Sequence, residues 1–379
     1  MATLRVIIDQ IVAPVPGGIG RYAEELTRQL IVTAPRGARV AGIVSASPEA
    51  DYATIQQRLP GLTELYKSPL ARRELSAAWA HGFTRLPGTG LVHATSLLAP
   101  LHRHDRASQP GEQTVVTIHD AVPWTHPETL TPRGVSWHKR MAKRAERYAD
   151  AIVVPTHAVA DELSQLLQID GRVRVIGGAV GSGLVVPTNA AARAAELKLP
   201  ERYLMSVGTL EPRKGLEPLI RALARPESGD LPLLVVGPDG WGGVDLKAVA
   251  KEAHVDPNRI RAVGHVSDSD LALMLSRATA FVFPSLAEGF GLPVLEAMSF
   301  GVPVIHSDAP AVVEVAGEAG YVVPLADADR YPARLAEAIG AVVGDEKLAA
   351  GLSVSGRDRS GAFSWRDSAE KVWQLHSDL

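Results

Sequence analysis

The chain contains no cysteine. That absence excludes a disulfide scaffold, a thiol nucleophile, and a zinc or iron–sulfur site ligated by cysteine. It is compatible with a reducing compartment. An excess of one charge is also missing. The 39 Lys and Arg face 42 Asp and Glu, a net charge of −3, so no basic field points to nucleic acid. No segment approaches the ~20 apolar residues of a spanning helix, and runs such as Leu231–Gly237 (LPLLVVG) have the length of a buried strand. The opening residues, MATLRVIIDQ, lack the charged n-region, long h-region and small-residue cleavage site of a signal peptide. A cytoplasmic location is therefore expected, with peripheral membrane contact left open. Fixed-period repeats and low-complexity tracts are absent too.

What is present is a rhythm. The 379 residues, 46% of them hydrophobic, suggest two domains or three at ~150 residues each. Short β-branched runs alternate with Gly/Pro loops and helical segments. Leu4–Asp9 is followed by PVPGGIG and a helix over about Arg21–Ile31, then by strands at Arg39–Val44, Leu91–Ala94, Thr114–His119 and Ala151–Pro155. The series restarts near residue 200 with Tyr203–Gly208, Leu233–Gly237, Ile260–Val263, Ala280–Pro284, Val302–His306 and Gly320–Val323. Strands alternating with helices imply parallel sheets covered on both faces. Two such series predict an α/β protein of two doubly wound domains, divided within Gly177–Ala195. The last segment, Ser364–Leu379, predicts a helix capped by Ser364, with Ala369, Val372, Trp373 and His376 on one face.

Four segments carry chemistry. In Pro16–Tyr22 (PGGIGRY), Gly18, Gly20 and Ala23 match the G-x-G-x-x-A spacing of dinucleotide-binding turns. The preceding loop is longer than that turn allows, and Arg39–Val44 is followed by Ser45, Ala46 and Ser47 rather than a ribose-binding acid. A glycine loop opening a helix still offers N–H groups to an anion. In Gly208–Gly215 (GTLEPRKG), Arg213 and Lys214 follow a strand, where open sheets bind ligands. Adjacent cations there suit a diphosphate; a solvated loop is the plainer reading. In Glu288–Glu296 (EGFGLPVLE), two glutamates bracket seven residues, and Pro293 fits the first turn of a helix carrying Glu296. A carboxylate so placed can accept both hydroxyls of a ribose while the helix N-terminus faces a phosphate. Complementing the helix dipole would explain Glu296 alone. In Thr114–Pro127, His119 and Asp120 end a buried strand, where His119 can reach a substrate hydroxyl or be structural. His102, His104 and His126 raise a metal reading, but HRHD lacks an i, i+4 histidine pair, and no metal site is expected.

Together these segments resemble the retaining glycosyltransferases of family 4, mannosyltransferases among them, over nearly the whole chain and in the expected order. Glu288 and Glu296 match the family's E-x7-E motif, Arg213 and Lys214 its donor-phosphate pair, Gly17 and Gly18 its N-terminal glycine loop, and His119-Asp120 its His-Asp element. The resemblance implies the GT-B fold: two Rossmann-like domains facing a cleft. An acceptor domain would span residues 1–182, joined by a returning C-terminal helix at 364–379, and a donor domain residues 195–363. It implies a nucleotide-sugar donor, a glycan or lipid-linked acceptor, and no cofactor. Arg213 and Lys214 would neutralise the diphosphate, while Phe290, Gly291 and Leu292 would offer N–H groups to phosphate and sugar. Glu296 would hold the ribose, and Glu288 the transferred sugar near its C3 hydroxyl. His265 and Val266 would meet the base, with Leu271 close by. Gly18 would approach the diphosphate, and His119 would contact the sugar's C6 hydroxyl and help stabilise positive charge. No protein general base is assigned. The linker GGAVGSG and Thr156 depart from the family pattern.

Among donors, GDP-mannose is favoured on GTLEPRKG and the IHD element, ahead of UDP-hexose and dTDP-rhamnose. Two other classes stand as alternatives. An NAD-dependent oxidoreductase would use Gly18 and Gly20 but leaves Glu288 and Glu296 unexplained. A non-catalytic sugar-nucleotide binder would keep the grip without turnover. Asp268-Ser269-Asp270 imitates a D-x-D metal motif, and Ser267 or Asp268 reads as a helix cap. Arg133–Tyr148 predicts a basic amphipathic helix, with Trp137, Met141, Ala145 and Tyr148 inward. Arg140, Arg144 and Arg147, beside Lys139 and Lys143, would face an anionic acceptor, a membrane or solvent.

Overall fold

The structure, a computed structural model, describes residues 2–13, 17–84, 90–105, 108–109, 111–240 and 242–379. Pro16 of the glycine loop lies outside them. The chain divides into two units. One comprises Met1–Thr125, Pro132–Gly178 and Ser364–Leu379; the other comprises His126–Thr131 and Ala179–Phe363. The Ala-rich end of the Gly177–Ala195 segment, expected to be linker, forms the helix Ala190–Glu196.

The first unit is built on a seven-stranded sheet of β1 (Thr3–Ile7), β2 (Arg39–Ala46), β3 (Glu64–Ala71), β4 (Leu91–Ala94), β5 (Gln113–Thr117), β6 (Ala151–Val154) and β7 (Val173–Val175). The order is β3-β2-β1-β4-β5-β6-β7, and every pairing is parallel. The chain winds outward from β1 to β3, then crosses to the other side of β1 and continues from β4. The switch point therefore lies between β1 and β4, where such sheets bind ligands at their strand ends. The helix expected over Arg21–Ile31 is longer, Gly17–Val32, and opens at the glycines themselves. The last helix, Trp365–Asp378, belongs to this unit. Ser364 caps it, its Oγ accepting the Asp367 N–H at 3.3 Å. Ala369, Val372, Trp373 and His376 are all buried. The Trp373 indole donates to the Leu30 carbonyl at 3.2 Å.

The second unit carries β8 (Leu204–Val207), β9 (Leu233–Val236), β10 (Ile260–Gly264), β11 (Ala280–Phe283), β12 (Val304–Ser307) and β13 (Tyr321–Val323). The order is β10-β9-β8-β11-β12-β13, again all parallel. Continuous apolar strands follow from burial on both faces. Leu233 and Val235 pack with Leu219 and Leu335 on one side. Leu234 and Val236 pack with Phe281, Phe283 and Leu295 on the other. Here the switch point lies between β8 and β11.

Candidate functional site

The two loops that leave the ends of β8 and β11 are the segments GTLEPRKG and EGFG. Each turns sharply after its strand. Pro212–Lys214 forms one turn of 3-10 helix, ended by Gly215 at φ +66°. The second loop ends at Gly291, φ +92°, which precedes the helix Leu292–Ser299. Pro293 lies in that helix's first turn, where its missing N–H costs nothing.

The second loop is held at five consecutive residues, the last three of them by the first loop. The Pro284 carbonyl accepts the Tyr331 hydroxyl at 3.1 Å. The Ser285 carbonyl accepts the Ser307 hydroxyl at 2.5 Å. The Leu286 N–H donates to the Arg213 carbonyl at 2.8 Å. The Ala287 carbonyl accepts Arg213 Nη1 at 2.6 Å. Finally, Glu288 Oε1 lies 2.5 Å from Lys214 Nζ and its Oε2 lies 3.2 Å from Arg213 Nη1. Sequence reasoning named Arg213, Lys214 and Glu288 but missed Tyr331, Ser307 and the contact beneath Gly215. A Cβ on Gly215 would lie 2.1 Å from the Pro284 oxygen.

The electrostatics are those of a compact, largely buried cluster. Burial alone would raise the Glu288 carboxyl, but Lys214 and Arg213 hold it down at about 2. Burial pulls the Lys214 ammonium below its ordinary value against the upward influence of Glu288. Glu211 sits 3.6 Å from Arg213 Nη2.

The other expected residues of this unit are distributed around these loops. Phe290, Gly291 and Leu292 lead into the helix N-terminus, where N–H groups lack intrahelical partners. Glu296 was expected in the first helical turn. It lies in the second, because the helix already begins at Leu292, and it is 1% exposed. His265 and Val266 follow β10. Leu271 is a core residue, buried with Met274, Phe281 and Leu295, and Val266 packs on the same cluster. Of the D-x-D imitation, Ser267 is the cap of the Asp268–Arg277 helix. Asp270 is gripped by Arg193, Nε to Oδ1 at 2.8 Å and Nη2 to Oδ2 at 2.9 Å.

In the first unit, the ends of β1, β4 and β5 converge at the switch point. The Thr95 hydroxyl donates to the Ile7 carbonyl at 2.7 Å. His119 Nε2 lies 2.8 Å from the Thr95 carbonyl. A carbonyl only accepts, so Nε2 carries the proton and the neutral ring presents Nδ1 as an acceptor. Burial lowers the affinity of this imidazole for a second proton. Tyr22, from the Gly17–Val32 helix, meets the ring edge-on at 4.8 Å. Gly17 and Gly18 open that helix, Gly17 at φ +55°. A feature the sequence did not announce is Asp9, 1% exposed, which accepts the Ser45 N–H at 2.8 Å and pairs with Arg72.

His102 and His104 both meet protein groups, His102 through Nδ1 with the Pro100 carbonyl at 2.7 Å. His104 donates Nδ1–H to the His102 carbonyl at 3.0 Å and pairs through Nε2 with Asp150 at 2.9 Å. Asp150 raises its pKa. In the Pro132–Tyr148 helix, Met141, Ala142 and Ala145 are buried. Arg133, Arg140, Lys143 and Arg147 form an exposed stripe. Arg144 leaves the expected cationic face, because its guanidinium donates to the Leu101 carbonyl. Among the described residues, no helix is long and apolar enough to cross a membrane.

Two family models together cover most of the chain. The model for Glycosyltransferase Family 4 matches residues 16–181. The model for Glycosyl transferases group 1 matches residues 188–359. The chain is 28% identical over 305 residues to the O-antigen chain mannosyltransferase B of Escherichia coli, covering 74% of this chain and 76% of that protein. It is 32% identical over 199 residues to the serotype-specific mannosyltransferase WbdA of Escherichia coli, 49% of this chain and 24% of that longer protein. Sucrose-phosphate synthase from Thermosynechococcus elongatus has the same fold, with a TM-score of 0.76 at 23% identity over 100% of this chain and 99% of that one.

Proposed function

The chain belongs to glycosyltransferase family 4, and from that premise we propose that it transfers mannose from GDP-mannose, with retention, to a glycan or lipid-linked acceptor. The observation that carries this reading is the Arg213–Lys214–Glu288 cluster at the β8/β11 switch point. As the bond to the anomeric carbon breaks, negative charge grows on the departing diphosphate and positive charge on the sugar. Arg213 and Lys214 answer the first; the N-terminus of the Leu292–Ser299 helix adds N–H groups to it. Glu288 and Glu296 suit hydroxyls of sugar and ribose. His119, neutral at Nδ1, accepts a sugar hydroxyl and sets no like charge against an oxocarbenium-like centre. The acceptor hydroxyl passes its proton to a phosphate oxygen, so the reaction asks nothing of a protein base.

The mannose preference draws on the two mannosyltransferase relatives. UDP-hexose and dTDP-rhamnose are the competing donors. The reaction is read as metal-independent, because Arg193 already occupies both oxygens of Asp270; transfer should persist in EDTA. A cytoplasmic enzyme of cell-surface polysaccharide or glycolipid synthesis would meet its acceptor at the inner membrane face. The stripe of Arg133, Arg140, Lys143 and Arg147 suits an anionic lipid surface. Nearby, Phe83 is 81% exposed, and a Cβ on its neighbour Gly82 would meet Arg144. Failure to sediment with anionic vesicles at low salt would remove the membrane contact.

A panel of nucleoside diphosphates tests the donor. GDP is expected to raise the melting temperature more than UDP or dTDP, and GDP-mannose to be hydrolysed slowly without acceptor. Equal stabilisation by all three would remove the mannose preference. Stabilisation by NAD alone would restore the oxidoreductase reading.

A further inference from the structure

The grip on the diphosphate is occupied before any donor arrives. Glu288 spans both cations, one oxygen on each. With Glu211 beside Arg213, the cluster contains two cations and two carboxylates and sums to zero. A diphosphate entering a neutral cluster meets two carboxylates at close range, and burial keeps water from screening them. Binding becomes favourable only if one carboxylate leaves.

We propose that Glu288 is an exchangeable counter-ion, which yields Lys214 and Arg213 to the diphosphate and reclaims them to expel the nucleoside diphosphate product. This rests on the reading of the site as a diphosphate grip, and adds to Glu288 a task separate from holding the sugar.

The geometry favours a side-chain exchange over a loop movement. The backbone from Pro284 to Ala287 is held by Tyr331, Ser307 and Arg213. Glu288 is the first residue past that stitched stretch, and Gly289 and Gly291 follow it. Its contacts to the cations are made by its side chain, so rotation about its own bonds releases both. Lys214 stays fixed meanwhile: its ammonium lies 5.7 Å from the centre of the Phe283 ring, and its stem packs against Gly208. The cations are fixed and the carboxylate moves. On product formation the sugar no longer engages Glu288, and the freed carboxylate competes with the leaving diphosphate for the same two cations.

The test is a titration of inorganic pyrophosphate and of GDP into the full chain and into E288Q at and below neutral pH. The lower pH favours the Lys214 ammonium, because the substitution removes the Glu288 charge that raises its pKa against burial. The substitution keeps the side chain's shape and removes the competitor. Both ligands are expected to bind E288Q about tenfold more tightly, which is about 1.4 kcal/mol, with slower GDP release and reduced transfer. Equal or weaker binding by E288Q overturns the exchange while leaving the grip intact. If neither protein binds pyrophosphate, GDP, UDP or dTDP, the reading of the site fails instead. Should E288Q not fold, E288D carries the test: one methylene shorter, it reaches the cations less well, and a smaller tightening is expected. No tightening there overturns the proposal equally.

Discussion

Replacing Gly215 by alanine strikes the junction of the two loops. Two costs can be worked from the structure. Gly215 sits at φ +66°, ψ 23°, a left-handed conformation that costs a residue with a Cβ about 1–2 kcal/mol. The added carbon would lie 2.1 Å from the Pro284 oxygen and 2.8 Å from its carbon. A carbon–oxygen contact normally sits at about 3.3 Å or more, so the carbonyl must retreat by about 1 Å. That retreat strains the buried hydrogen bond from Tyr331, worth about 1 kcal/mol. The sum is about 2–3 kcal/mol. For a unit of this size, it lowers the melting temperature by about 4–12 °C. The clash also displaces Arg213 and Lys214, which directly precede Gly215, so GDP affinity should fall about tenfold or more. Gly243→Ala is the control. Gly243 also has positive φ, +54°, but nothing lies within 4 Å of the added carbon, so only the backbone cost applies. Thermal unfolding and GDP titration of both variants read the difference. If G215A melts no lower than G243A and binds GDP like the unaltered chain, the stitched-loop argument is wrong.

Arg213→Ala and Lys214→Ala should each lower transfer by about 10² or more with the fold retained, and undiminished turnover in both folded variants would remove them from the mechanism. Acid should weaken the first unit through His93, fully buried and held near a pKa of about 4 by desolvation. A base whose folded pKa lies below its unfolded 6.5 stabilises the fold above 6.5 and loses that contribution as pH falls towards 4. The loss is about 3 kcal/mol, and His376, likewise pushed down by burial and by His93, adds to it. Denaturant midpoints between pH 7 and 4 should therefore fall less steeply in His93→Leu; an unchanged slope contradicts this account.

Much of the fold was legible because buried parallel strands announce themselves. The expected strands at Leu91–Ala94, Leu233–Gly237 and Ala280–Pro284 coincide with β4, β9 and β11 to within a residue. β3 and β7 escaped notice for physical reasons. β3 (ELYKSPLA) is an edge strand, half exposed and interrupted by Pro69, which an edge tolerates because one side of the ladder is unpaired. β7 has three residues and is also an edge.

At the site, charged and glycine residues could be picked out because they lie in short loops after strong strands. Their supports could not. Tyr331 stands 47 residues from the carbonyl it holds, and Ser307 stands 22 from its own. The β11–β12 pairing brings Ser307 to its partner, and Tyr331 arrives on the helix Tyr331–Gly344, which packs on the same sheet. The depth of Glu296 depended on its helix beginning directly after Gly291, which carries Glu296 into the second turn. The neutral state of His119 depended on its burial, and its tautomer on an accepting carbonyl of another strand end.

The central claim is most directly tested by incubating the purified chain with GDP-mannose and a mannose-terminated acceptor and reading the new anomeric signal by NMR. The account predicts GDP release matched by a new α-mannosyl linkage, retaining the donor's configuration. A β-linkage would contradict retention, and transfer from UDP-glucose or dTDP-rhamnose but not from GDP-mannose would contradict the donor.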